Sequence, residues 1–276
     1  MAVKKKSIEK KQQEGRGQGF GKEYTPWIKI QEVPSLGRRS RFKGIKTDRQ
    51  HELLSDLERN YLYLLEYSDK VFDVREQYSL PMEETLSIAL ELGLEHPREP
   101  GTGEYIVMTT DFLITLQQED NKYDVARTIK DKDKLLDRRT IEKFEIEKVY
   151  WERKGISWGI VTEADIDKTI AENIMFFSSY YNLEEIDAFE NIDKVEIFDL
   201  VLEYIRRIIG TTETIRTIST RFDKEMSLLK GTGISIFKHL LARKIIKVEL
   251  NQALKLDQHI EVELSQEALK EEFKIS

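Results

Sequence analysis

Two apolar runs joined by a polar turn constrain the fold of this chain more than any other feature. Residues 105–117 and 122–130 are rich in Val, Ile, Leu, Phe and Thr, and a polar QQEDN turn separates them. This pattern predicts two neighbouring strands of a hairpin-like pair. Asp111 stands inside the first run and Lys130 closes the second. Because side chains alternate between the faces of a strand, the two charges can meet at neighbouring strand ends.

The segments around this pair alternate between helical and strand patterns. We predict helices over residues 48–67, 82–94, 135–155 and 163–181, and strands over residues 70–80 and 156–162. Gly155 provides the stop of the third helix, and the stretch EHPREPGTG is a loop. This order of elements predicts an α/β fold in which helices flank a mixed sheet.

The pattern changes near residue 195, beyond which helices follow one another without an apolar strand run. We predict helices over residues 196–208, 212–226 and 235–248, and two short strands of a wing within residues 247–264. Glycines between the last two helices allow the turn of a helix-turn-helix. The expected domains are a flexible basic arm over 1–23, an α/β domain over 24–182 and a mostly helical, winged-helix-like domain over 183–276.

The composition excludes several kinds of site. The chain has no cysteine, which excludes disulfides, thiol catalysis and thiolate zinc sites, and its four histidines lack metal-ligand spacing. No segment approaches the roughly 20 apolar residues of a membrane span, and the N-terminus lacks the apolar core of a secretory signal. We therefore predict a soluble cytoplasmic protein with no membrane partner.

Positive charge is concentrated near the N-terminus. The first 50 residues contain 14 Lys and Arg against 5 Asp and Glu, whereas the other 226 contain 30 against 46. The predicted DNA-backbone contacts in this segment are Arg38, Arg39, Arg41, Lys43, Lys46 and Arg49. A solvated, partly disordered tail is the alternative. Lys132 and Lys134, just beyond Lys130, are further predicted phosphate contacts, with a solvated charge run as their alternative.

A carboxylate pair and a lysine form the candidate catalytic site. In period-two geometry, Asp111 points away from the face of Phe112 and Ile114, which is wholly apolar. Helical spacing places Glu58 at the edge of the buried face of the predicted helix over residues 48–67. Such an inward acid can also meet an arginine or extend to solvent.

Oxygen ligands of this kind suit a hard divalent cation such as Mg²⁺. The predicted ligands are Glu58, Asp111, the Thr128 hydroxyl and the main-chain carbonyl of Ile129. Lys130 would orient or help deprotonate the attacking water and offset charge on the phosphorus, so that phosphodiester hydrolysis follows. The structural alternative is an aspartate at a hairpin end and a solvated lysine.

Several stretches resemble the TnsA endonuclease subunits of heteromeric cut-and-paste transposases. Between Glu14 and Tyr181 they are EGRGQGFGKEYTPWIKIQEVPSLGR, HELLSDLE, VFDVREQY, VMTTDFL and RRTIEKFEIEKVYW. The resemblance implies a restriction-endonuclease-like fold of the PD-(D/E)xK superfamily. Its acidic residues fall at Glu58 and Asp111 and its catalytic lysine at Lys130, whereas the third metal position falls on Thr128 in place of the acid of the general motif.

The resemblance also implies a function and partners. It implies a Mg²⁺-dependent endodeoxyribonuclease, with Mn²⁺ as a substitute, that hydrolyses the strands at the 5′ ends of a transposon on the bacterial nucleoid. Its partners would be double-stranded transposon-end DNA, a TnsB-type transposase and a TnsC-type AAA+ regulator at the C-terminal domain. From Asp165 onward the chain has 15 Lys and Arg against 21 Asp and Glu, which favours protein docking there over DNA binding. The alternatives are a non-catalytic DNA-binding adaptor and a stand-alone restriction or repair nuclease.

Overall fold

The chain divides into two units, with the boundary directly after Asp167. A computed structural model of the protein describes residues 7–32 and 38–273. The first unit comprises residues 1–167 and the second residues 168–276. The division comes earlier than the predicted boundary after Asn182, because the helix that begins at Lys168 packs against a later helix of the second unit.

The first unit is built around a four-stranded mixed sheet. Its helices are α1 (Ile8–Gln13), α2 (Asp56–Tyr67), α3 (Met82–Glu91) and α4 (Arg138–Arg153). Its strands are β1 (Ser40–Lys43), β2 (Gln50–Leu53), β3 (Val71–Ser79), β4 (Thr109–Gln118), β5 (Asn121–Ile129) and β6 (Ser157–Val161). The sheet has the order β3-β4-β5-β6, with a parallel pairing only between β5 and β6, and β1 and β2 form a separate hairpin. The predicted mixed sheet flanked by helices is confirmed.

A hydrophobic core covers each face of this sheet. Phe112 and Ile114 of β4 pack with Leu62 of α2 on one face, which the alternation of the sequence identified. Leu113 lies on the same side of β4 as Asp111, and it packs in a second core with residues of α3 and α4. Since both faces are covered, open positions for polar chemistry lie toward the strand ends.

The helix predicted from residue 48 begins later than expected. Residues 50–53 form β2, which pairs with β1, and α2 starts at Asp56. Ser55 caps α2, because its side chain accepts a hydrogen bond from the main-chain N–H of Glu58. The predicted helix therefore combined a short strand, a cap and a helix in one apolar pattern.

The expected flexible arm has defined structure over its described part, residues 7–23. It contains α1, and the buried guanidinium of Arg16 donates to both carboxylate oxygens of Glu32, at 2.6 and 2.7 Å. Gly17 lies against β3 with φ +71°, where a Cβ would come within 1.9 Å of the Ser79 hydroxyl oxygen. A partner distant in sequence therefore fixes a segment whose glycines alone indicated flexibility.

Arg49, which the sequence predicted as a DNA contact, is buried in an ion pair with Glu76. Its guanidinium donates to the two carboxylate oxygens of Glu76 at 2.8 and 2.5 Å, and His51 Nδ1 lies 2.8 Å from the same carboxylate. Burial alone would raise the pKa of Glu76, but the charge of His51 and the hydrogen bonds from Arg49 and His51 lower it. The arginine joins the start of β2 to β3, and its side chain is only 7% exposed.

The second unit is mostly helical, as predicted. Its helices are α5 (Lys168–Ser178), α6 (Lys194–Ile208), α7 (Ile215–Glu225), α8 (Thr232–Ala242) and α9 (Gln266–Phe273), and its strands are β7 (Ile246–Lys247) and β8 (Glu263–Leu264). The antiparallel β7 and β8 follow α6 to α8, which is the predicted order of helices and wing strands. Most residues of α8 are buried, and it packs against α5 and α7. Among the described residues, no helix is long and apolar enough to cross a membrane.

We expect Arg49→Ala to destabilise the protein far more than Arg41→Ala. The first change leaves the buried carboxylate of Glu76 without its arginine, which costs about 3–5 kcal/mol in comparable buried pairs. Arg41 makes a more exposed pair with Glu52, for which about 0–1 kcal/mol is usual. Urea unfolding of both variants measures the difference in unfolding free energy. Equal losses of unfolding free energy in the two variants would contradict a structural role for Arg49.

Candidate active site

The first turn of α2 fixes the orientation of Glu58. This side chain is only 7% exposed, and its Oε2 accepts a hydrogen bond from the N–H of Leu54 at 3.0 Å. The Ser55 hydroxyl donates to Glu58 Oε1 at 3.0 Å and accepts from the main-chain N–H of Glu58 at 3.1 Å. This reciprocal pairing is close to a capping box, so the same contacts begin the helix and hold the carboxylate in place.

Asp111 bridges β4 and β5. Its Oδ2 accepts a hydrogen bond from the main-chain N–H of Ile129 at 2.7 Å. The side-chain amide of Gln77 lies between the two acids, 3.5 Å from Asp111 Oδ1 and 3.4 Å from Glu58 Oε2. Three neighbouring elements, α2, β3 and β4, therefore place polar side chains at one end of the sheet.

Gln77 is held in a left-handed backbone conformation within β3. Its φ is +50°, a region that costs an L-residue roughly 1–2 kcal/mol. The main-chain N–H of Trp27 donates to the carbonyl of Gln77 at 3.2 Å, so the N-terminal segment supports this conformation. Such local strain is maintained only where surrounding contacts determine the backbone, and here it directs an amide to the two carboxylates.

Both carboxylates hold protons more tightly than usual. Burial, and then the charge of Asp111, raise the pKa of Glu58 to about 8. Burial raises the pKa of Asp111 to about 6, although the hydrogen bond from Ile129 and the charge of Lys130 act in the opposite direction. Two buried carboxylates that repel each other are stabilised by a cation bound between them.

Lys130 lies directly beyond the end of β5. Its main-chain N–H donates to the carbonyl of Val161 at 3.0 Å, which fixes the backbone at this point. Its ammonium is close enough to Asp111 to lower the pKa of that carboxyl. The structure therefore brings Glu58, Asp111, Ile129 and Lys130 to the same end of the sheet.

The Thr128 hydroxyl belongs to a neighbouring hydrogen-bonded cluster. It donates to Oε1 of Glu147 in α4 at 2.5 Å and accepts from Trp158 Nε1 at 3.2 Å. The same oxygen of Glu147 also accepts from the Thr110 hydroxyl at 2.6 Å and from Trp158 at 3.0 Å. The hydroxyl predicted as a metal ligand thus bonds a buried carboxylate of α4.

Gln77 and Glu147 are the residues of this region that sequence reasoning missed. Burial raises the pKa of Glu147 to about 7, against the hydrogen bonds from Thr110 and Thr128, and the charge of Asp111 adds to the increase. Glu147 shares the helical spacing of Phe144 and Trp151, so its inward position was open to detection. Gln77 has no comparable local pattern.

Within residues 7–32 and 38–273, the structure holds no group of three or more His, Cys, Asp or Glu suited to a metal.

The remaining predicted DNA contacts lie mainly on the surface. Arg38, Arg39, Arg41, Lys43, Lys132 and Lys134 are exposed, and Lys46 is half-buried. Arg41 and Lys43 alternate with less exposed residues along β1 and therefore share one face of the hairpin. Arg49 is thus the only buried residue among all the predicted DNA contacts.

A mixed sheet flanked by helices, with two carboxylates and a lysine at one end, defines the restriction-endonuclease-like class. A family described as TnsA-like endonuclease N terminal matches residues 68–163, and one described as TnsA endonuclease C terminal matches residues 165–250. The chain is 35% identical over 268 residues to the transposon Tn7 transposition protein TnsA of Escherichia coli, covering 97% of this chain and 94% of that relative. The chain belongs to the TnsA endonuclease family, as the sequence motifs implied.

We expect the metal-free protein to lose stability as the pH rises from about 4.5 to about 8. The pKa of Glu58 rises from an ordinary 4.5 to about 8 on folding, so the folded state binds this proton more tightly. The resulting stability is complete below the unfolded pKa and is lost as the pH passes the folded pKa. Each tenfold difference in proton affinity between the folded and unfolded states contributes about 1.4 kcal/mol. Urea unfolding in EDTA across this pH range measures the slope.

Glu58→Gln removes one titrating group and should reduce this pH dependence, while Asp111 and Glu147, whose pKa values are also raised, retain the remainder. Glu83→Gln is a matched control, because Glu83 also lies in the first turn of a helix but is exposed. If the unfolding free energy changes with pH by the same slope in wild type and Glu58→Gln, Glu58 does not retain its proton in the folded state.

Proposed function

We propose that the protein is a Mg²⁺-dependent endodeoxyribonuclease that hydrolyses the strands at the 5′ ends of a transposon during cut-and-paste excision. The observation that carries this proposal is the meeting of Glu58 and Asp111 beside Lys130, in a chain of the TnsA endonuclease family. Buried carboxylates with raised pKa values are typical of catalytic and metal-binding sites.

Glu58, Asp111 and the carbonyl of Ile129 would hold the metal. In an extended strand, the N–H and C=O of one residue face the same neighbouring strand. Because the N–H of Ile129 bonds Asp111, its carbonyl faces the same side. The Thr128 hydroxyl is engaged by Glu147, and we therefore leave it out of the ligand set. Oxygen donors of this type suit Mg²⁺, and Mn²⁺ accepts the same donors.

Lys130 supplies the positive charge next to the reacting phosphate. Its charge acts on Asp111, so its ammonium lies beside the carboxylates that would hold the metal. It orients the attacking water and offsets charge that develops on the phosphorus as the bond to the 3′ oxygen breaks. A bound divalent cation would supply further charge stabilisation at the leaving oxygen.

The proposed partners act on different units of the chain. The first unit would bind transposon-end DNA, and a TnsB-type transposase would cut and join the 3′ ends. The second unit would dock a TnsC-type AAA+ regulator. Two observations support docking: α8 is largely buried and so offers little surface to a DNA groove, and this unit has a cavity of about 570 Å³ lined in part by Leu183, Phe198 and Arg243.

Strand-specific cleavage tests the catalytic proposal. End-bearing DNA is incubated with Mg²⁺, with and without the partner transposase of the same element. We expect cuts at the 5′ ends that depend on the partner and fall by at least about a hundredfold in Asp111→Ala and Lys130→Ala, because each change removes a group at the reacting phosphate.

Asp120→Asn is the matched control, since Asp120 is an exposed acid at the turn between β4 and β5. It should cut as wild type does. A non-catalytic adaptor is the second candidate, favoured by the absence of an acid at Thr128, and it predicts the same products from wild type, Asp111→Ala and Lys130→Ala. Cleavage of plain duplex without the partner would instead indicate a stand-alone nuclease.

The exposed cations of β1 should contribute to DNA affinity without determining sequence. We expect the double change Arg41→Ala and Lys43→Ala to weaken binding of end-bearing and unrelated duplexes alike, and to reduce the slope of log affinity against log salt by about one to two. Fluorescence anisotropy over a salt series measures both quantities. An unchanged slope would remove β1 from the DNA interface.

A further inference from the structure

Lys143 differs from the other cations of α4. Arg138 and Arg139 pair with Glu142, and the cations Lys148 and Arg153 also have carboxylate partners. In the part of the chain that the structure describes, Lys143 has no such ion pair. Lys143 is exposed, and partial desolvation lowers the pKa of its ammonium. The neighbouring positive charges of Arg139 and Lys130 lower this pKa further, whereas the charge of Asp137 raises it.

The contact between Glu147 and Thr128 explains how Lys143 reaches the active site. This hydrogen bond, at 2.5 Å, fixes α4 against the end of β5. Lys143 lies four residues before Glu147, about 6 Å along the same side of the helix. Lys130 lies two residues beyond Thr128, about 7 Å along the strand direction. α4 connects the parallel strands β5 and β6, so it runs back along the sheet and its N-terminal end lies beside the end of β5. The two displacements therefore run the same way, past the end of the sheet, and the effect of the Lys130 charge on Lys143 agrees with this.

Lys130, Arg139 and Lys143 therefore form a cationic cluster at the end of β5. Like charges held close together destabilise one another, and the cluster lies on the same side as the carboxylate pair. Arg139 has a partner in Glu142. Among the described residues Lys130 and Lys143 form no ion pair, and their nearby carboxylates, Asp111 and Asp137, act on them only through longer-range charge interactions. An anion bound between the two lysines would relieve their repulsion, and an ammonium binds phosphate as a compact point charge.

We propose that Lys143 binds the phosphate next to the scissile phosphate on the strand being cut, while Lys130 faces the scissile phosphate itself. This assignment rests on the proposed nuclease function. Its ligand is one phosphate group of double-stranded DNA, and Arg139 lies at the rim of the same site. Lys143 then sets the register of the strand across Glu58 and Asp111 and takes no part in the bond-breaking step.

Duplexes in which a single phosphate is replaced by an uncharged methylphosphonate test this site. The phosphates on both sides of the cut are replaced one at a time, and cleavage is measured in the assembled reaction described above. We expect wild type to lose about tenfold in rate with one neighbouring phosphate neutralised. The cleavage rate of Lys143→Gln should be about tenfold below wild type on unmodified DNA. Replacing that same phosphate should not lower the rate of this variant further, because the two changes remove one interaction.

Lys148→Gln is the matched control on the same helix, since Lys148 is ion-paired with Glu145 and Glu152. It should cut like wild type and keep its sensitivity to the modified phosphate. Lys143→Arg retains the charge and should recover most of the rate. Thermal unfolding of each variant establishes that it is folded.

Equilibrium binding of the same duplexes by Asp111→Asn protein separates this proposal from the nuclease proposal. If the wild type binds the duplex but does not cut it, the nuclease function is refuted. The phosphate site is still supported if the affinity of Asp111→Asn protein for DNA falls on methylphosphonate replacement and this effect disappears when Lys143→Gln is added. The proposal is overturned if Lys143→Gln remains as sensitive as wild type at every phosphate, or if neither binding nor cutting responds to any neutralised phosphate.

Discussion

Burial of the Glu58 and Asp111 carboxylates beside each other is the constraint on which the rest of the site depends. In an unfolded chain these groups would separate and ionise in water. The fold instead fixes each one through its own local contact, Glu58 through the cap of α2 and Asp111 through the N–H of Ile129. The strained backbone of Gln77 places an amide donor near both acids. The fold thus gives up stability to hold two carboxylates and an amide in fixed positions at one end of the sheet.

Much of the site could be predicted because it follows short periodic patterns. Alternation along one strand placed Asp111 on the face opposite Phe112, and the inward direction of Glu58 followed from helical spacing. The start of that helix was wrong, because Leu53 of β2 fits the same apolar spacing as the helix that follows. The serine three residues before Glu58 carried the better signal, since this spacing is the signature of a helix cap.

Other features depend on partners that no local pattern identifies. Arg49 stands in a basic run, and only its pairing with Glu76, far along the chain, distinguishes it from the surface cations near it. The glycine-rich segment around Arg16 was predicted to be flexible for the same reason. Its ordering depends on Glu32, which accepts hydrogen bonds from the Arg16 guanidinium and which no local pattern identifies as its partner. Thr128 was interpreted from its place in a motif, but its hydroxyl bonds Glu147 of α4. In each case charge or motif position was known, and the tertiary partner decided the role.

The two hydrophobic cores explain why these groups converge at one end of the sheet. Because packed side chains cover much of both faces, the polar groups of the candidate site lie where strands start or stop. Asp111 lies near the start of β4 and Lys130 just past the end of β5, while Glu58 is in the first turn of α2. The hairpin of β1 and β2 leads into α2 through only the residues around Ser55. The exposed cations of β1 are thus joined by a short, capped connection to the helix that carries Glu58, so DNA bound at these proposed contacts would act on the element that positions the carboxylate.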